Sequence, residues 1–130
     1  MEFRPPRERE RGAVGDLVAA HCGAARASEL GTLDCVIAVE RHTPVGALHY
    51  RIDGDVAEIV YIATVPKRRG TGRRLLAAGC RLLASQGARR VRATADGGDE
   101  RARQFWSACG FAESRDPAGF TVHERAIGPV

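Results

Sequence analysis

Residues 56–83 read VAEIVYIATVPKRRGTGRRLLAAGCRLL and contain the pattern that decides the fold. The first ten residues are rich in β-branched and aromatic types, which favours a strand that stops at Pro66. From Arg73 onward the apolar residues recur at helical spacing, and Gly87 stands where a helix commonly ends. The stretch therefore predicts a strand, a short basic glycine loop and an amphipathic helix.

The loop between this strand and this helix has the composition of an anion-binding site. Gly70, Thr71 and Gly72 place backbone N–H groups at the helix N-terminus, where the first amides have no partner within the helix. The basic residues around them are Lys67, Arg68, Arg69, Arg73 and Arg74. We expect the loop to hold a pyrophosphate, although a GxG sequence alone is more often an ordinary turn.

Length and composition limit the class of protein. A chain of 130 residues, 44% of them hydrophobic, predicts one globular domain over residues 1–130. The net charge of +4 is compatible with a nucleic-acid partner or with a phosphorylated cofactor. Because the basic residues concentrate on the glycine loop and aromatic residues are few, the cofactor is favoured and no nucleic acid is expected.

The sequence contains no pattern of a secretory signal or of a membrane span. The four cysteines show no CxxC pairing, which predicts reduced thiols and a cytoplasmic protein. They are Cys22, Cys35, Cys80 and Cys109. The four histidines are scattered without the spacing of metal ligands, so no metal site is expected.

Before the glycine loop, the pattern predicts a short strand, a helix and an antiparallel meander. Residues 2–4 form the short strand, and apolar residues at helical spacing predict one helix from about residue 8 to residue 26. Residues 27–33 are then too few for more than a turn. Two strands follow at residues 34–41 and 45–52, and a tight turn leads from them into the central strand.

After the glycine loop and its helix, a strand is predicted at residues 90–95. It should run parallel to the central strand because a helical crossover links the two. A helix at residues 100–109 and final strands at residues 111–113 and 119–127 complete the pattern. The fold class is thus α/β, with a mixed, mostly antiparallel sheet of about six or seven strands and about three helices.

Two segments resemble motifs of the GNAT (Gcn5-related) N-acetyltransferase superfamily. Residues 67–72, KRRGTG, resemble motif A, [QR]xxGx[GA], with Lys67 at the first position. Residues 99–111 resemble motif B, which has an Asn, then FY, then GF. The corresponding residues are Asp99, Phe105-Trp106 and Gly110-Phe111. With the strand–helix opening, the resemblance covers nearly the whole chain and implies a GNAT fold and an acetyl-CoA-dependent N-acetyltransferase.

The resemblance also implies how acetyl-CoA would lie. The backbone of motif A, together with the neighbouring Arg73, would hold the pyrophosphate. The central strand would splay away from the next strand, which would free backbone groups of Tyr61, Ile62, Ala63 and Thr64 for the pantetheine arm and the thioester oxygen. Asp99 and Trp106 would lie near this arm. The alternative is an ordinary central strand without a splay.

Glu58 is the candidate general base, because it is the only carboxylate within the apolar run of residues 56–65. Burial among apolar neighbours would raise the pKa of this carboxyl, which suits a base that deprotonates an ammonium group. The segment AEIVY also resembles the strand that carries the base of the family's histone acetyltransferases. Alternatively, Glu58 lies on an exposed strand face or pairs with an arginine of the following parallel strand.

No general acid is assigned from the sequence. Many members of the family use the tyrosine of the FY pair to protonate the thiolate, and Trp106 stands there in this chain. An indole N–H donates a hydrogen bond but does not deliver a proton. Tyr50 and Tyr61 are the only tyrosines, and both suit packing better. Cys80 and Cys109 fall on apolar helix faces, which argues against a covalent acyl-enzyme.

The leading hypothesis is direct acetyl transfer from acetyl-CoA to the amine of a small molecule or a peptide. The alternative is a catalytically weak acyl-CoA-binding module that acts as a sensor or as a partner-binding protein. A nucleic-acid patch on the basic loop is a third, less favoured interpretation. Since small members of the family often dimerise, the resemblance leaves a homodimer open, whereas no membrane partner is expected.

Overall fold

The computed structural model describes residues 1–65, 70–95 and 100–128. Within these ranges the strands are β1 (Glu2–Arg4), β2 (Asp34–Glu40), β3 (Thr43–Asp53), β4 (Val56–Thr64), β5 (Arg90–Ala95), β6 (Ala112–Arg115) and β7 (Thr121–Ala126). The helices are α1 (Arg11–Cys22), α2 (Ala24–Leu30), α3 (Thr71–Ser85) and α4 (Glu100–Ala108), and a short 3-10 turn spans Glu8–Glu10.

In the described part of the chain, the strands form one seven-stranded sheet in the order β1-β2-β3-β4-β5-β7-β6. Neighbouring strands are antiparallel except for β4 and β5, which run parallel because α3 crosses over between them. The predicted mixed, mostly antiparallel α/β fold is therefore confirmed.

The helices cover the sheet on two sides, and each side has its own apolar core. On one side, Leu75, Leu76 and Leu83 of α3 pack against Leu48 and Ile59 of the sheet. On the other side, residues of α1 and α2 pack against β2 and β3. These residues are Val14, Val18, Leu30, Ile37, Val39 and Ala47. The site described below lies where β4 separates these two cores.

The prediction of one continuous helix followed by a turn was wrong. The helix ends at Cys22, and a second helix occupies residues Ala24–Leu30. Gly23 separates them with a φ of +88°, which only glycine adopts easily. The apolar pattern continues across this glycine, so periodicity alone did not reveal the change of direction. The second helix is anchored by Leu30, which is buried.

Candidate functional site

The sheet forks halfway along β4. This strand pairs with β3 over its whole length, from Val56 to Thr64. Its pairing with β5 covers only the first four residues and ends where Ile59 meets Ala93. Beyond that point β5 continues against β7. Within the described residues, the β5-facing side of residues 60–64 therefore has no strand partner, and the expected splay is confirmed.

A β-bulge in β4 accompanies the fork. His49 pairs with Tyr61, whereas the next residue of β3, Tyr50, pairs with Ile59, so that Val60 is the extra residue. Val60 and Tyr61 both contact the core beneath α1, while Ile59 and Ile62 contact the core beneath α3. A bulge bends its strand, which explains how β4 leaves β5 here. No sequence signal had indicated it.

The N-terminus of α3 lies just beyond the fork. Gly70 precedes the helix with a φ of +78°, and among the described residues no side chain caps this end. The first helical bond of this end is donated by the N–H of Arg74 to the carbonyl of Gly70, at 3.1 Å. The amides of residues 71–73 thus precede the bonded ladder, as an anion site requires.

Gly72 lies where three elements approach one another closely. A Cβ at this position would lie 3.3 Å from Cε1 of Phe105 in α4 and 3.8 Å from Cγ2 of Thr64 in β4. The helix start, the free end of β4 and α4 therefore meet at one point. Phe105, which the sequence analysis placed in a motif without a role at the site, lines this junction.

Two of the basic side chains near the loop are used within the protein. Arg73 donates from Nη2 to the carbonyl of Ala108 at the end of α4, at 3.5 Å. The guanidinium of Arg74 lies over the ring of Phe3, 5.5 Å from its centroid. Lys67, Arg68 and Arg69 lie outside the described residues, as does Asp99.

Glu58 lies on the same side of the sheet as α1 and α2, because its neighbours Ala57 and Ile59 face the other core. Its side chain is 40% exposed and forms a 2.9 Å ion pair with Arg51 of β3. The expected burial among apolar residues is therefore absent. An arginine does pair with the carboxylate, but it belongs to β3, whereas the register partner on β5, Arg92, approaches Glu124.

His21 is a site residue that the sequence analysis missed. It lies in the last turn of α1, and its Nε2 lies within hydrogen-bond distance of the carbonyl of Thr64, at the end of β4. Because a carbonyl only accepts, Nε2 carries the hydrogen of this bond. No local pattern connects the two residues, which are 43 positions apart.

Trp106 lies in the packing between α4 and the sheet. Its ring centroid is 5.1 Å from that of Phe111 and 6.2 Å from that of His123, and the residue is buried. Tyr50 is also buried, on the α3 side of the sheet. Tyr61 is half-buried near Cys22, and burial raises the pKa of its phenol. The indole therefore has a packing role whatever else it contacts.

The cysteines have the character of packed thiols. Cys80 is buried within the α3 core, and burial raises its pKa. Burial also raises the pKa of Cys109, against which the nearby Arg73 acts. Raised pKa values leave little thiolate near neutral pH, so neither cysteine has the character of a nucleophile.

The described ranges show neither a metal-binding cluster nor a membrane-spanning helix. They contain no group of three or more His, Cys, Asp or Glu side chains arranged to hold a metal ion. None of their helices combines the length and the apolar character that crossing a bilayer requires.

A mixed sheet that forks beside a helix start at Gly70 is the arrangement that the sequence resemblance implies, and comparison with known protein families supports it. The chain belongs to the acetyltransferase (GNAT) family, whose model matches residues 5–111. The protein is therefore an enzyme of the acetyltransferase class. Comparison with curated protein sequences gives no match.

Solved structures resemble the whole chain. Tetrahymena GCN5 has a TM-score of 0.82 at 15% identity and covers 100% of this chain and 98% of its own. The ribosomal-protein-S18-alanine N-acetyltransferase from Escherichia coli has a TM-score of 0.79 at 14% identity, covering 99% and 95%. PaiA N-acetyltransferase from Thermoplasma acidophilum, a complex with coenzyme A, has 0.75 at 14%, covering 96% and 98%. Identities this low establish the fold alone.

Proposed function

We propose that the protein transfers the acetyl group of acetyl-CoA directly to an acceptor amine. The observation that carries this proposal is the fork in the sheet beside the start of α3, which no side chain of the described residues caps. The two features supply, in one place, free strand backbone for an amide-bearing arm and free helix amides for a diphosphate.

The cofactor would follow the fork. Its pyrophosphate would accept hydrogen bonds from the amides of Gly70, Thr71 and Gly72, with the side chains of residues 67–69 adding charge. Its pantetheine arm would pair with the backbone of Ile62, Ala63 and Thr64, as an added strand does, and the carbonyl of Thr64 would have to exchange its bond with His21 for one with the arm. Phe105 would pack beside it, and Asp99 and Trp106 are the motif B residues proposed to flank it.

Glu58 is the proposed general base. Its carboxylate lies one residue before the fork, on the side opposite α3, where an acceptor can reach the thioester without crossing the helix that holds the phosphates. Its carboxylate is held by the 2.9 Å ion pair with Arg51. An incoming ammonium group would compete with Arg51 for the carboxylate, and the exposed pair can open readily.

Transfer would require no acyl-enzyme, because the two helix cysteines are packed thiols with raised pKa values. The attacking amine would form a bond to the thioester carbon, and the coenzyme A thiolate would leave and take its proton from water. His21, whose Nε2 holds the carbonyl of Thr64, is proposed to line the acceptor entrance.

Among the similar structures, one acts on a ribosomal-protein alanine and others are aminoglycoside acetyltransferases. For this chain we propose an amine acceptor of small-molecule or peptide type. The four cysteines are free thiols, which supports a reducing compartment such as the cytoplasm.

The test is a thiol-release assay with acetyl-CoA and a panel of amines, detected with Ellman's reagent. We expect at least one amine to raise thiol release above hydrolysis, with N-acetyl product seen by mass spectrometry. In parallel, coenzyme A should shift the amide NMR signals of Gly70, Thr71 and Gly72. Shifts without turnover on any amine would favour the acyl-CoA-binding module. The Arg51–Glu58 ion pair and the buried Trp106 are the features that support this alternative.

A further inference from the structure

A second cleft opens on the α1 side of the sheet, away from the fork. Its volume is about 640 Å³, within the range of small-molecule pockets. One wall is formed by β1, the 3-10 turn and the start of α1, and the other by the turn between β2 and β3. Ala13, Val39 and Pro44 supply apolar surface.

The charges around this cleft are mostly positive. Its carboxylates are those of Glu2 and Glu10, and both pair with Arg4: Glu2 at 2.8 Å and Glu10 through two bonds of 2.7 and 2.9 Å. The remaining cationic side chains are Arg7, Arg9, Arg41 and His42. Within the described residues, none of the three further arginines has an ion pair. The cleft thus offers guanidinium groups outside ion pairs, of which Arg7 also attracts the carboxylates of Glu2 and Glu10 at longer range.

The turn at the cleft rim is the second observation. Arg41 and His42 alone connect β2 to β3, and their φ angles are +50° and +65°. These are the angles of the turns that favour Asn-Gly. Among the described residues, no other non-glycine residue has a positive φ. Both strained residues line the cleft, so two cationic or titratable side chains are held there at positions where small residues would fold more easily.

We propose that this cleft binds a small organic or inorganic anion with two or more negative charges. Guanidinium groups pair with carboxylates and phosphates through parallel hydrogen bonds, and three of them around one cleft exceed what a single monovalent anion can engage. The apolar surface of Ala13, Val39 and Pro44 suits the carbon skeleton of such a ligand. The site is separate from the amides at the start of α3, because none of the residues that line the cleft lies in α3.

The experiment uses the whole protein saturated with coenzyme A, so that the α3 amides are occupied. Citrate and inorganic pyrophosphate are titrated at constant ionic strength, with acetate as the monovalent probe, and amide NMR signals are followed. Citrate or pyrophosphate should shift the signals of Arg9, Arg41 and His42 saturably, and acetate should not. Absence of saturable shifts, or equal shifts with acetate, would overturn the proposal.

The double variant Arg41→Asn/His42→Gly separates binding from folding. It should raise the melting temperature, because it relieves the strained turn, and weaken citrate binding at least tenfold. Arg81→Gln, an exposed arginine of α3, is the control that should leave citrate affinity unchanged. Unchanged affinity in the double variant would overturn the proposal.

A second variant keeps the test decisive if the double variant folds poorly. Arg7→Gln/Arg9→Gln removes charge from the other wall and leaves the turn intact, so it should also weaken citrate binding at least tenfold. Wild-type affinity in this variant would remove the cleft as the binding site. Equally tight binding of a duplex DNA oligonucleotide at the same residues would overturn the assignment to a small ligand.

Discussion

Two corners of the chain lie at the same end of the β-strands. Both require a left-handed backbone conformation, and they use different residue types for it. At the start of α3, the left-handed position is Gly70, with a φ of +78°. At the turn between β2 and β3, Arg41 and His42 adopt left-handed angles. They lie at the same end of the strands because the last residue of β4 pairs with Gly46, three residues after β3 begins.

The difference indicates what each corner contributes. Glycine at α3 leaves the backbone amides accessible, and a Cβ at Gly70 would meet nothing within 4 Å, so its absence serves conformation rather than packing. At the other corner, a left-handed residue with a side chain costs about 1–2 kcal/mol. Retaining two such residues is understandable if their side chains are what the corner contributes. The corner at α3 should therefore lose coenzyme A binding when a side chain is added. The turn should lose anion binding when its side chains are removed.

The largest effect is expected beside the fork, where acetyl transfer is proposed to occur. Glu58→Gln should lower kcat by about 100-fold, because it removes the proposed base. The KM for acetyl-CoA should change little. The matched control is Glu113→Gln on β6, whose side chain is 41% exposed and pairs with Arg103 at 2.7 Å. Steady-state kinetics with an active acceptor measure both, and an equal fall in the control would remove the special role of Glu58.

The next effect concerns the packing of Gly72 at the junction. Gly72→Ala places a methyl group 3.3 Å from Phe105 and should displace the first amides of α3. Losing one hydrogen bond to a charged phosphate corresponds to about a tenfold weaker affinity for coenzyme A. Gly79→Ala in the same helix meets Cδ1 of Leu48 at the same distance. Calorimetry should find weaker coenzyme A binding only in Gly72→Ala, although both variants lose thermal stability.

The contrast between the two corners also shows how far sequence could carry the structure. The change of period between residues 56–65 and the helix after the glycine loop predicted β4 and α3 within one or two residues. The Arg51–Glu58 pair was not predicted, since an arginine partner was expected on β5, although the tight turn at Gly54-Asp55 fixes the hairpin register that brings Arg51 beside Glu58. Local patterns of this kind depend only on neighbours in the chain.

Features that depend on tertiary contact were not readable. The bulge at Val60, the contact of Phe105 with Gly72 and the bond from His21 to Thr64 each join distant segments. Gly23 was a visible glycine, but nothing local distinguished a helix break from a helix interior. The site was therefore predictable as a motif and not as a constellation of side chains.

A smaller effect compares the two ends of α3. Gly70 and Gly87 both have positive φ angles, and neither would place a Cβ near another atom. Changing either to alanine should lower the free energy of unfolding by about 1 kcal/mol through backbone strain alone. Only Gly70→Ala should also weaken coenzyme A binding. Equal coenzyme A affinities in the two variants would mean that the corner at α3 is an ordinary helix start.

The last effect concerns Glu10, which lines the cleft beside the turn. Hydrogen bonds from Arg4, and one from the N–H of Arg7, lower the pKa of this carboxyl from its usual 4.5 to about 2. A lowered pKa in the folded state means that the carboxylate stabilises the protein above about pH 4.5. This stabilisation should be lost progressively as the pH falls towards 2.

Glu10→Gln should therefore be less stable than the wild type at pH 6, and the difference should shrink as the pH falls from 5 to 3. Denaturant unfolding at each pH measures this difference. Glu29→Gln, which removes an exposed ion pair with Arg26, should differ much less from the wild type at pH 6. A difference between Glu10→Gln and the wild type that stays constant from pH 6 to pH 3 would mean that Glu10 supports the cleft by shape alone. In that case its charge would have no part in holding Arg4 away from a bound anion.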